Sequence, residues 1–458
     1  MKLPTSGLAS LSKTLIQING PDATKFLNGL VTTRMLPFLE KKKRHTISDA
    51  ENRHTELADL IDIHSNWGVM HEDIYDPEQN ILIRRDGLNS MFLNSKGRVV
   101  NDCFIYPTPF AYRNNSSNEN DACSYIVEID NVFYSQLKMM MSLHKLNAKV
   151  KIKKLDLKSL YFYNDSTVFD DWLEDIQRKY FQSMTPQDAL AQSRNFMESQ
   201  EVFNSELTEE GIVGFAIDNR IPNFGIKFIT KTDLKVGQIF SDQFKNSFIE
   251  EDEEKLLSEK VLDQRRFENG LFEVKDAPRS QSLLPFETNL DFTNGLSLEK
   301  GCYVGQELTI RTYNNGTIRK RIFPVQFFRL TNLDVEEFEV PALNENDPVN
   351  GILKEYAEKS DITNWEVEPL YEEAAEENTK VDSPSPFENS NPFGSKTVRK
   401  RAKSSGKVLS VQDNLGFILI NSSSIQKNDL YKIKVDGEDI GLKVFEPDWW
   451  PELEESGG

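Results

Sequence analysis

Apolar and polar positions along the chain predict many short strands interrupted by a few helices. An apolar run at residues 15–18 leads through Asn19-Gly20-Pro21-Asp22 into a helix over residues 23–30. Further strands are predicted at residues 81–84, 91–93, 99–106, 125–129, 150–155 and 160–163, and further helices at residues 132–146, 172–181 and 251–266. This mixture of strand and helix periods predicts an α+β fold class.

Turn signals refine this pattern. Asp86-Gly87 lies between two predicted strands and indicates a β-hairpin. A strand over residues 215–217 leads Asp218 and Arg220 into a Pro/Gly turn, where the pair either holds a polar ligand or forms a structural salt bridge. Near the C-terminus, turns separate four predicted strands of a small antiparallel β-barrel, at residues 406–411, 416–420, 431–435 and 441–444.

The chain has 458 residues, more than one hydrophobic core usually supports, so two or three lobes are expected. We assign residues 1–316 to a core of two interleaved α+β lobes, residues 317–332 and 404–451 to the barrel, and residues 333–403 to an insertion. Residues 334–388 carry 17 acidic and 3 basic side chains, which is most of the net charge of −19. The insertion is therefore acidic and is predicted to be largely disordered, apart from an isolated helix at residues 350–360.

Several classes of function are disfavoured by composition. No apolar run approaches the roughly 18 residues of a membrane span, and the basic cluster at residues 399–403 lacks the interleaved aromatics of a nucleic-acid site. Four histidines between residues 45 and 71 lack metal-site spacing and are interpreted as loop histidines. Residues 1–18 contain lysine, serine and threonine but no acid, which is compatible with a transit peptide.

The strongest chemical signal surrounds Cys302, one of three cysteines in the chain. None of the three has CxxC spacing, so they form neither a disulfide framework nor a complete metal site. Gly301 and Gly305 give the segment backbone freedom, and Lys300 supplies a cation that would favour a thiolate. Basic residues follow at Arg311, Arg319, Lys320 and Arg321. The alternative interpretation, a buried structural thiol, fits these charged and glycine-rich surroundings poorly.

Residues Lys300-Gly301-Cys302-Tyr303-Val304-Gly305-Gln306-Glu307 closely resemble the hallmark sequence of the GcvT/YgfZ folate-binding-like family. Further matching stretches lie at residues 20–23, 26–29, 96–98, 218–220, 265–266 and 447–451. Within this family the chain is most similar to the fungal mitochondrial iron-sulfur cluster assembly factors of the Caf/Iba-type branch. The resemblance implies an aminomethyltransferase-like, multi-lobed core with a C-terminal β-barrel.

The resemblance also implies a function without catalysis. It describes a mitochondrial matrix factor that acts with A-type iron-sulfur scaffold proteins in the late maturation of 4Fe-4S apoproteins, such as aconitase and the lipoate and biotin synthases. An iron-sulfur cluster ordinarily takes four thiolate ligands, which one cysteine cannot supply. The remaining ligands must come from another protein or a small thiol, and we expect Cys302 to share a transient 2Fe-2S or 4Fe-4S cluster with a partner. The expected interface comprises Cys302 with Lys300, Gly301, Tyr303, Gly305, Gln306, Glu307 and Arg311.

In this interpretation Lys300 and the downstream arginines stabilise the thiolate and the negative charge of the cluster. The alternative function is a tetrahydrofolate-dependent aminomethyl transferase. Asp102 matches the region where that enzyme uses a carboxylate, although Asn101 stands where it tends to carry another acid. Asp102, Arg220 and Glu287 are the candidate folate contacts, and Asp102 is equally well explained as a carboxylate at a sheet edge.

Overall fold

A computed structural model of the chain describes residues 3–35, 69–72, 81–108, 110–111, 124–204, 211–231, 236–249, 256–298, 300–314, 318–330, 338–359, 361–371, 405–425, 429–435 and 437–451. The chain forms two compact units. One comprises Met1–Ile322 together with Pro447–Gly458, and the other comprises Phe323–Glu446. The sequence-based assignment places the C-terminal residues to 451 in the barrel, whereas Trp449 donates to the Asn269 carbonyl oxygen of the larger unit at 2.8 Å.

The strands of the larger unit are β1 (Ser6–Leu11), β2 (Lys13–Asn19), β3 (Val69–Glu72), β4 (Ile81–Arg84), β5 (Leu88–Leu93), β6 (Val99–Pro107), β7 (Ser124–Asp130), β8 (Lys151–Leu155), β9 (Leu157–Asn164), β10 (Ile212–Ile217) and β11 (Ile226–Lys231). Two sheets dominate: a four-stranded sheet of order β1-β9-β11-β10 and a five-stranded sheet of order β5-β6-β7-β2-β8. Strands β3 and β4 form a separate antiparallel pair.

The described part of this unit contains the helices α1 (Ala23–Asn28), α2 (Tyr134–Lys145), α3 (Thr167–Tyr180), α4 (Pro186–Ser199), α5 (Asp242–Phe248), α6 (Glu259–Glu268) and α7 (Gln306–Asn314). Serine or threonine side chains cap four of them, because each accepts a hydrogen bond from an amide in the first turn. These residues are Ser166 before α3, Thr185 before α4, Ser241 before α5 and Ser258 before α6.

The two sheets pack face to face, and helices cover their outer faces. Leu15, Phe104 and Ile126 of the five-stranded sheet meet Ala216 and Ile229 of the four-stranded sheet in one buried cluster. Behind the five-stranded sheet, α1 and α2 bury their apolar sides in the largest cluster. Behind the four-stranded sheet, α3, α4 and α5 enclose a cluster rich in phenylalanine. This layering confirms the predicted α+β class.

The chain enters both sheets within its first 19 residues. Strand β1 pairs with β9 of the four-stranded sheet, while β2 pairs with β7 and β8 of the five-stranded sheet. Leu15, Ile16 and Ile18 of β2 are buried. Residues 6–18, whose composition is compatible with a transit peptide, are thus part of the folded core.

The prediction of a hairpin at Asp86-Gly87 is wrong. Strand β4 pairs with β3, and β5 pairs with β6. Asp86 accepts two hydrogen bonds from the buried Arg84 guanidinium at 2.7 and 2.5 Å. A Cβ atom on Gly87 would lie 2.7 Å from the Tyr106 ring. The dipeptide is therefore a buried connection between sheets, where glycine is required by close packing and not by a two-residue turn.

The smaller unit is a closed barrel, as the sequence predicts. Its six strands are β12 (Lys320–Arg329), β13 (Glu366–Pro369), β14 (Gly406–Gln412), β15 (Leu415–Asn421), β16 (Leu430–Val435) and β17 (Glu438–Val444), in the order β12-β15-β14-β13-β16-β17. Its helices are α8 (Pro348–Lys359) and α9 (Ser422–Ile425).

The barrel includes a segment that the sequence assigns to a largely disordered insertion. Strand β13 bridges β14 and β16 and closes the barrel. Val349 and Leu353 of α8 are buried, together with Trp365 and Val367, so this helix is not isolated. The disorder prediction is therefore wrong for residues 348–369, because a few well-placed apolar residues outweigh the acidic composition. Residues 372–404, the second half of the insertion, lie outside the described residues.

Candidate functional site

Cys302 lies in an irregular loop that leads into helix α7, and it is exposed. The other thiol that the structure describes, Cys103, is buried in the core, where burial raises its pKa well above the ordinary value. Cys123 lies outside the described residues. Since a thiol must reach solvent to accept a metal or a partner, Cys302 is the reactive candidate of the two described cysteines.

Lys300 anchors the loop from inside the protein. Its buried ammonium donates hydrogen bonds to the carbonyl oxygens of Val31 and Thr33 at 2.5 and 2.7 Å, and it lies 4.7 Å from the centre of the Tyr303 ring. Burial lowers the pKa of Lys300 well below its ordinary value. These contacts differ from the predicted role of stabilising a thiolate, because the amine is bonded to two backbone carbonyl oxygens.

Two glycines from separate motifs meet beside the loop. Gly305 has φ +83°, and a Cβ atom there would lie 2.5 Å from the Asn94 carbonyl oxygen. Gly97 has φ +72°, and a Cβ atom there would lie 2.9 Å from the Gly305 carbonyl oxygen. Both positions therefore require glycine, for conformation and for space. The Lys96-Gly97-Arg98 turn and the Cys302 segment are in backbone contact.

Other motif segments complete this arrangement. The Val304 amide donates to the Gly29 carbonyl oxygen at the end of α1, at 3.0 Å. Val99, directly after the glycine turn, donates through its amide to the Leu283 carbonyl oxygen at 2.9 Å. The structure thus gathers stretches that are far apart in sequence around one exposed thiol.

The remaining predicted interface residues divide between interior and surface. Tyr303 is buried, and its burial raises its pKa to about 12. The Gln306 amide group donates to the Lys300 carbonyl oxygen at 3.5 Å. Glu307 and Arg311 are exposed and form an ion pair across one helical turn at 2.6 Å. Exposed pairs of this kind contribute little to stability, so both side chains are available to a partner.

The downstream basic residues do not act together as predicted. Arg321 is buried, and its guanidinium pairs with Asp291 through contacts of 2.9 and 2.6 Å. This arginine holds the Leu-Pro-Phe-Glu segment in place and is not available to stabilise a thiolate or a cluster. Arg319 and Lys320 are exposed and remain candidates for that role.

The side chain of Glu287, predicted as a folate contact, points back toward the backbone three residues before it. Its carboxylate accepts a hydrogen bond from the Leu284 amide at 2.8 Å. Burial raises its pKa, while the Leu284 amide and the charges of Arg98 and Lys320 oppose that rise. Its contacts are those of a side chain that closes a turn.

Asp102 and Arg220 lie elsewhere, in a charged cluster between the two sheets. Arg220 donates to Asp218 through two nitrogens at 2.8 Å each, and to Glu273 at 2.8 Å. Lys13 contacts Glu273 at 3.3 Å. Burial and the nearby Glu273 raise the pKa of Asp102, against the attraction of Lys13 and Arg220. The structure therefore brings Asp102 and Arg220 into one cluster, and places Glu287 in a different charged environment.

Glu273 is the centre of this cluster. Besides Lys13 and Arg220 it lies within 3.8 Å of Arg266 and 3.7 Å of Lys275. Burial opposes ionisation of Glu273, but the surrounding cations hold its pKa well below the ordinary value. A second pair, Lys227 with Glu128, lies at 2.7 Å in the same interior layer.

A small cavity adjoins the cluster, lined among others by Lys13, Arg220, Lys227, Arg266 and Glu273. Its volume is about 30 Å³, enough for one or two water molecules. The lining charges are paired with one another. The cavity therefore does not fit a folate, although its carboxylate and guanidinium groups are of the right chemical type.

Sequence reasoning missed most of this cluster. Glu128 and Lys227 each stand among apolar residues of a strand and are buried, and Lys13 is the first residue of the largely apolar strand β2. A charged residue at an inward position of an apolar strand is the signal that could have identified them. Arg265 and Arg266, which lie at the end of the helix predicted over residues 251–266, are buried.

Metal chemistry has little support in the described part of the chain, which contains no group of three or more His, Cys, Asp or Glu side chains able to hold an ion. His71 lies 3.5 Å from Asp86, and burial together with Arg84 lowers its pKa to about 3. His45, His54 and His64 lie outside the described residues. The helices that the structure describes are all too short or too polar to cross a bilayer.

The chain was compared with protein-family models and with solved structures. Residues 319–452 match the family model described as the CAF17 C-terminal beta-barrel domain. A solved structure, the glycine cleavage system aminomethyltransferase T from Bartonella henselae, aligns with a TM-score of 0.46 and 11% identity, over 98% of this chain and 87% of that one.

Full-length relatives are more similar. A Debaryomyces hansenii protein named mitochondrial iron-sulfur cluster assembly factor IBA57 homolog is 52% identical, over 98% of this chain and 100% of its own length. The Candida albicans protein of the same name is 50% identical over the same shares. The Saccharomyces cerevisiae factor IBA57 is 29% identical, over 98% of this chain and 89% of its own length.

Proposed function

The chain belongs to the family of mitochondrial iron-sulfur cluster assembly factors named IBA57, and from this we propose that it matures 4Fe-4S proteins late in assembly, in the mitochondrial matrix. Its targets would be apoproteins such as aconitase and the lipoate and biotin synthases. Its partners would be A-type iron-sulfur scaffold proteins. The cluster is cargo in this proposal and not a resident cofactor.

The observation that carries the proposal is the exposure of Cys302 on a loop whose backbone is fixed on several sides. Lys300 binds the Val31 and Thr33 carbonyl oxygens, Val304 binds Gly29, and Gly305 packs against Gly97. A fixed backbone presents the thiol in one position, which reduces the ordering cost when a second protein binds.

Ligand number then requires further thiolates, from another protein or a small thiol, and we propose a partner protein. A cluster ordinarily takes four thiolates, and Cys103, the other cysteine that the structure describes, is buried. Cys302 therefore supplies one ligand of a shared, transient 2Fe-2S or 4Fe-4S cluster. The exposed Glu307, Arg311, Arg319 and Lys320 lie on the same segment and would contact the partner.

The alternative, folate-dependent aminomethyl transfer, has weaker support. Asp102 faces Lys13, Arg220 and Glu273 in a cluster whose cavity holds only one or two waters. The cations that attract Asp102 are themselves paired with Asp218 and Glu273. We therefore propose that the protein is an assembly factor without transferase activity. Tetrahydrofolate-dependent turnover by the wild-type protein would contradict this.

The test is complementation. A strain lacking the protein is supplied with wild type, Cys302→Ala, Cys103→Ala or Cys123→Ala, and the activities of aconitase and lipoate synthase are measured. We expect Cys302→Ala to lose both activities at normal protein abundance, while the other two variants retain them. Normal activities with Cys302→Ala would overturn the proposed role of this thiol.

A further inference from the structure

Helix α2 has an exposed row of apolar side chains opposite its buried side. Leu137 and Met141 pack into the core beneath it, whereas Met139 and Leu143 are 66% and 65% exposed. Val132 and Leu146, just outside the two ends of the helix, are also exposed. Met139 and Leu143 are four positions apart, which places them on the same side of α2, and Val132 and Leu146 flank that helix.

Lysines surround this row. Residues 131–155 contain six lysines and no aspartate or glutamate, in a chain of net charge −19. The Nζ atoms of Lys138 on α2 and Lys154 on β8 lie 5.8 and 5.0 Å from the centre of the Tyr134 ring. The lysines of the helix and those of the strand thus belong to one continuous surface. The carboxylate of Asp22 also lies at this surface, where it accepts a hydrogen bond from the backbone amide of Lys149 at 2.7 Å.

A protective role accounts for only part of this surface. In the described sheet, β8 is the edge strand beside β2. Exposed lysines on an edge strand prevent the addition of further strands, which explains Lys151, Lys153 and Lys154. It does not explain Met139 and Leu143, which are exposed apolar residues of the helix and not of the edge strand.

From these observations we propose that the α2–β8 face, comprising Val132, Met139, Leu143, Leu146 and the lysines at 138, 145, 149 and 154, binds an anionic membrane surface. The row stands on the crest of a helix, a convex shape suited to insertion among lipid headgroups. Long lysine side chains beside it reach toward phosphate groups while their stems cover apolar surface. This inference is independent of the function of Cys302.

Vesicle sedimentation tests the apolar row. The full-length protein is mixed with phosphatidylcholine vesicles that contain or lack phosphatidylglycerol. We expect binding only when the anionic lipid is present, and at least about tenfold weaker binding for Met139→Glu/Leu143→Glu. The matched control is Val168→Glu/Met184→Glu, which alters two side chains that are 64% and 69% exposed elsewhere. The control should bind like wild type, and circular dichroism should show both variants folded.

A second pair of variants tests the charges. Lys138→Glu and Lys154→Glu should each weaken binding about fivefold at low ionic strength, and the difference should shrink as salt is added. The proposal is overturned if wild type binds neutral and anionic vesicles equally, if it binds neither, or if Met139→Glu/Leu143→Glu binds like wild type. It is also overturned if the face instead holds a dimer together in gel filtration, or captures polyglutamate but no vesicles.

Discussion

The Cys302 loop and the cluster around Glu273 are both built from polar groups, and they use them in opposite ways. In the loop, the buried Lys300 donates hydrogen bonds to two backbone carbonyl oxygens, and the thiol of Cys302 is exposed. In the cluster, Glu273 meets Lys13, Arg220, Arg266 and Lys275, and the charges satisfy one another. A high density of paired charges therefore marks the structural region, and an accessible thiol marks the region proposed to be functional.

The largest effect should come from removing the centre of the cluster. Glu273→Ala removes the carboxylate shared by the buried Arg220 and Arg266 and the partly buried Lys13 and Lys275. The free energy of unfolding should therefore fall by about 3–5 kcal/mol, measured by urea denaturation. Glu307→Ala is the control from the loop region: it removes one exposed ion pair and should cost less than about 1 kcal/mol. Equal losses in the two variants would remove the distinction between the regions.

Lowering the pH should reduce the free energy of unfolding through the cluster around Glu273. The pKa of Glu273 in the folded state lies well below the ordinary value of 4.5. Its contribution to stability is therefore fully present above about pH 4.5 and is lost as pH falls toward the folded-state pKa. The wild-type free energy of unfolding should drop more steeply below pH 4.5 than that of Glu273→Gln, in denaturant titrations at several pH values. Parallel curves would contradict the assigned ionisation.

A backbone change should affect the loop by a smaller amount. Gly305→Ala combines a positive φ with a Cβ placed 2.5 Å from the Asn94 carbonyl oxygen, and should cost about 1–3 kcal/mol. Gly437→Ala is the matched control, because Gly437 has φ +93° but a Cβ added there would meet no atom within 4 Å. Thermal unfolding should show the larger loss for Gly305→Ala, and the reverse order would argue against close packing at Gly97.

The smallest effect is expected at Asp102. Its pKa is raised, so the ionised form is disfavoured in the folded protein and the neutral Asp102→Asn should leave stability unchanged or slightly higher, by less than about 1 kcal/mol. Urea denaturation at neutral pH measures this. A loss of several kcal/mol would show that Asp102 is a required partner of Lys13 or Arg220.

Much of the fold could be predicted because its signals are local. The strands predicted at 125–129, 160–163, 406–411, 416–420, 431–435 and 441–444 alternate or carry apolar runs bounded by turns, and the structure confirms them. Strand β1 escapes prediction because Ser6–Leu11 is short and mixed, and helix α4 because Pro186–Ser199 shows only a weak apolar side. Asp86-Gly87 is misleading because the same dipeptide suits both a hairpin turn and a buried crossing.

The site was predictable in sequence position but not in the direction of its side chains. The motif at Lys300 to Glu307 identifies the loop, yet nothing in it shows that Lys300 points inward to Val31 and Thr33 while Cys302 points outward. The pairing of Arg321 with Asp291 is likewise a product of tertiary packing. Side chains only a few positions apart in a loop can therefore point to opposite sides of the backbone, one into the core and another to the surface.

Whether Cys302 completes a cluster held by a second protein is tested most directly by absorption spectroscopy. The purified protein is reconstituted with iron and sulfide in the presence of an A-type scaffold protein, and Cys302→Ala and Cys103→Ala are treated in the same way. We predict a cluster spectrum that differs from that of the scaffold alone for wild type and Cys103→Ala, and its loss for Cys302→Ala. An identical spectrum with Cys302→Ala would contradict the shared-ligand account.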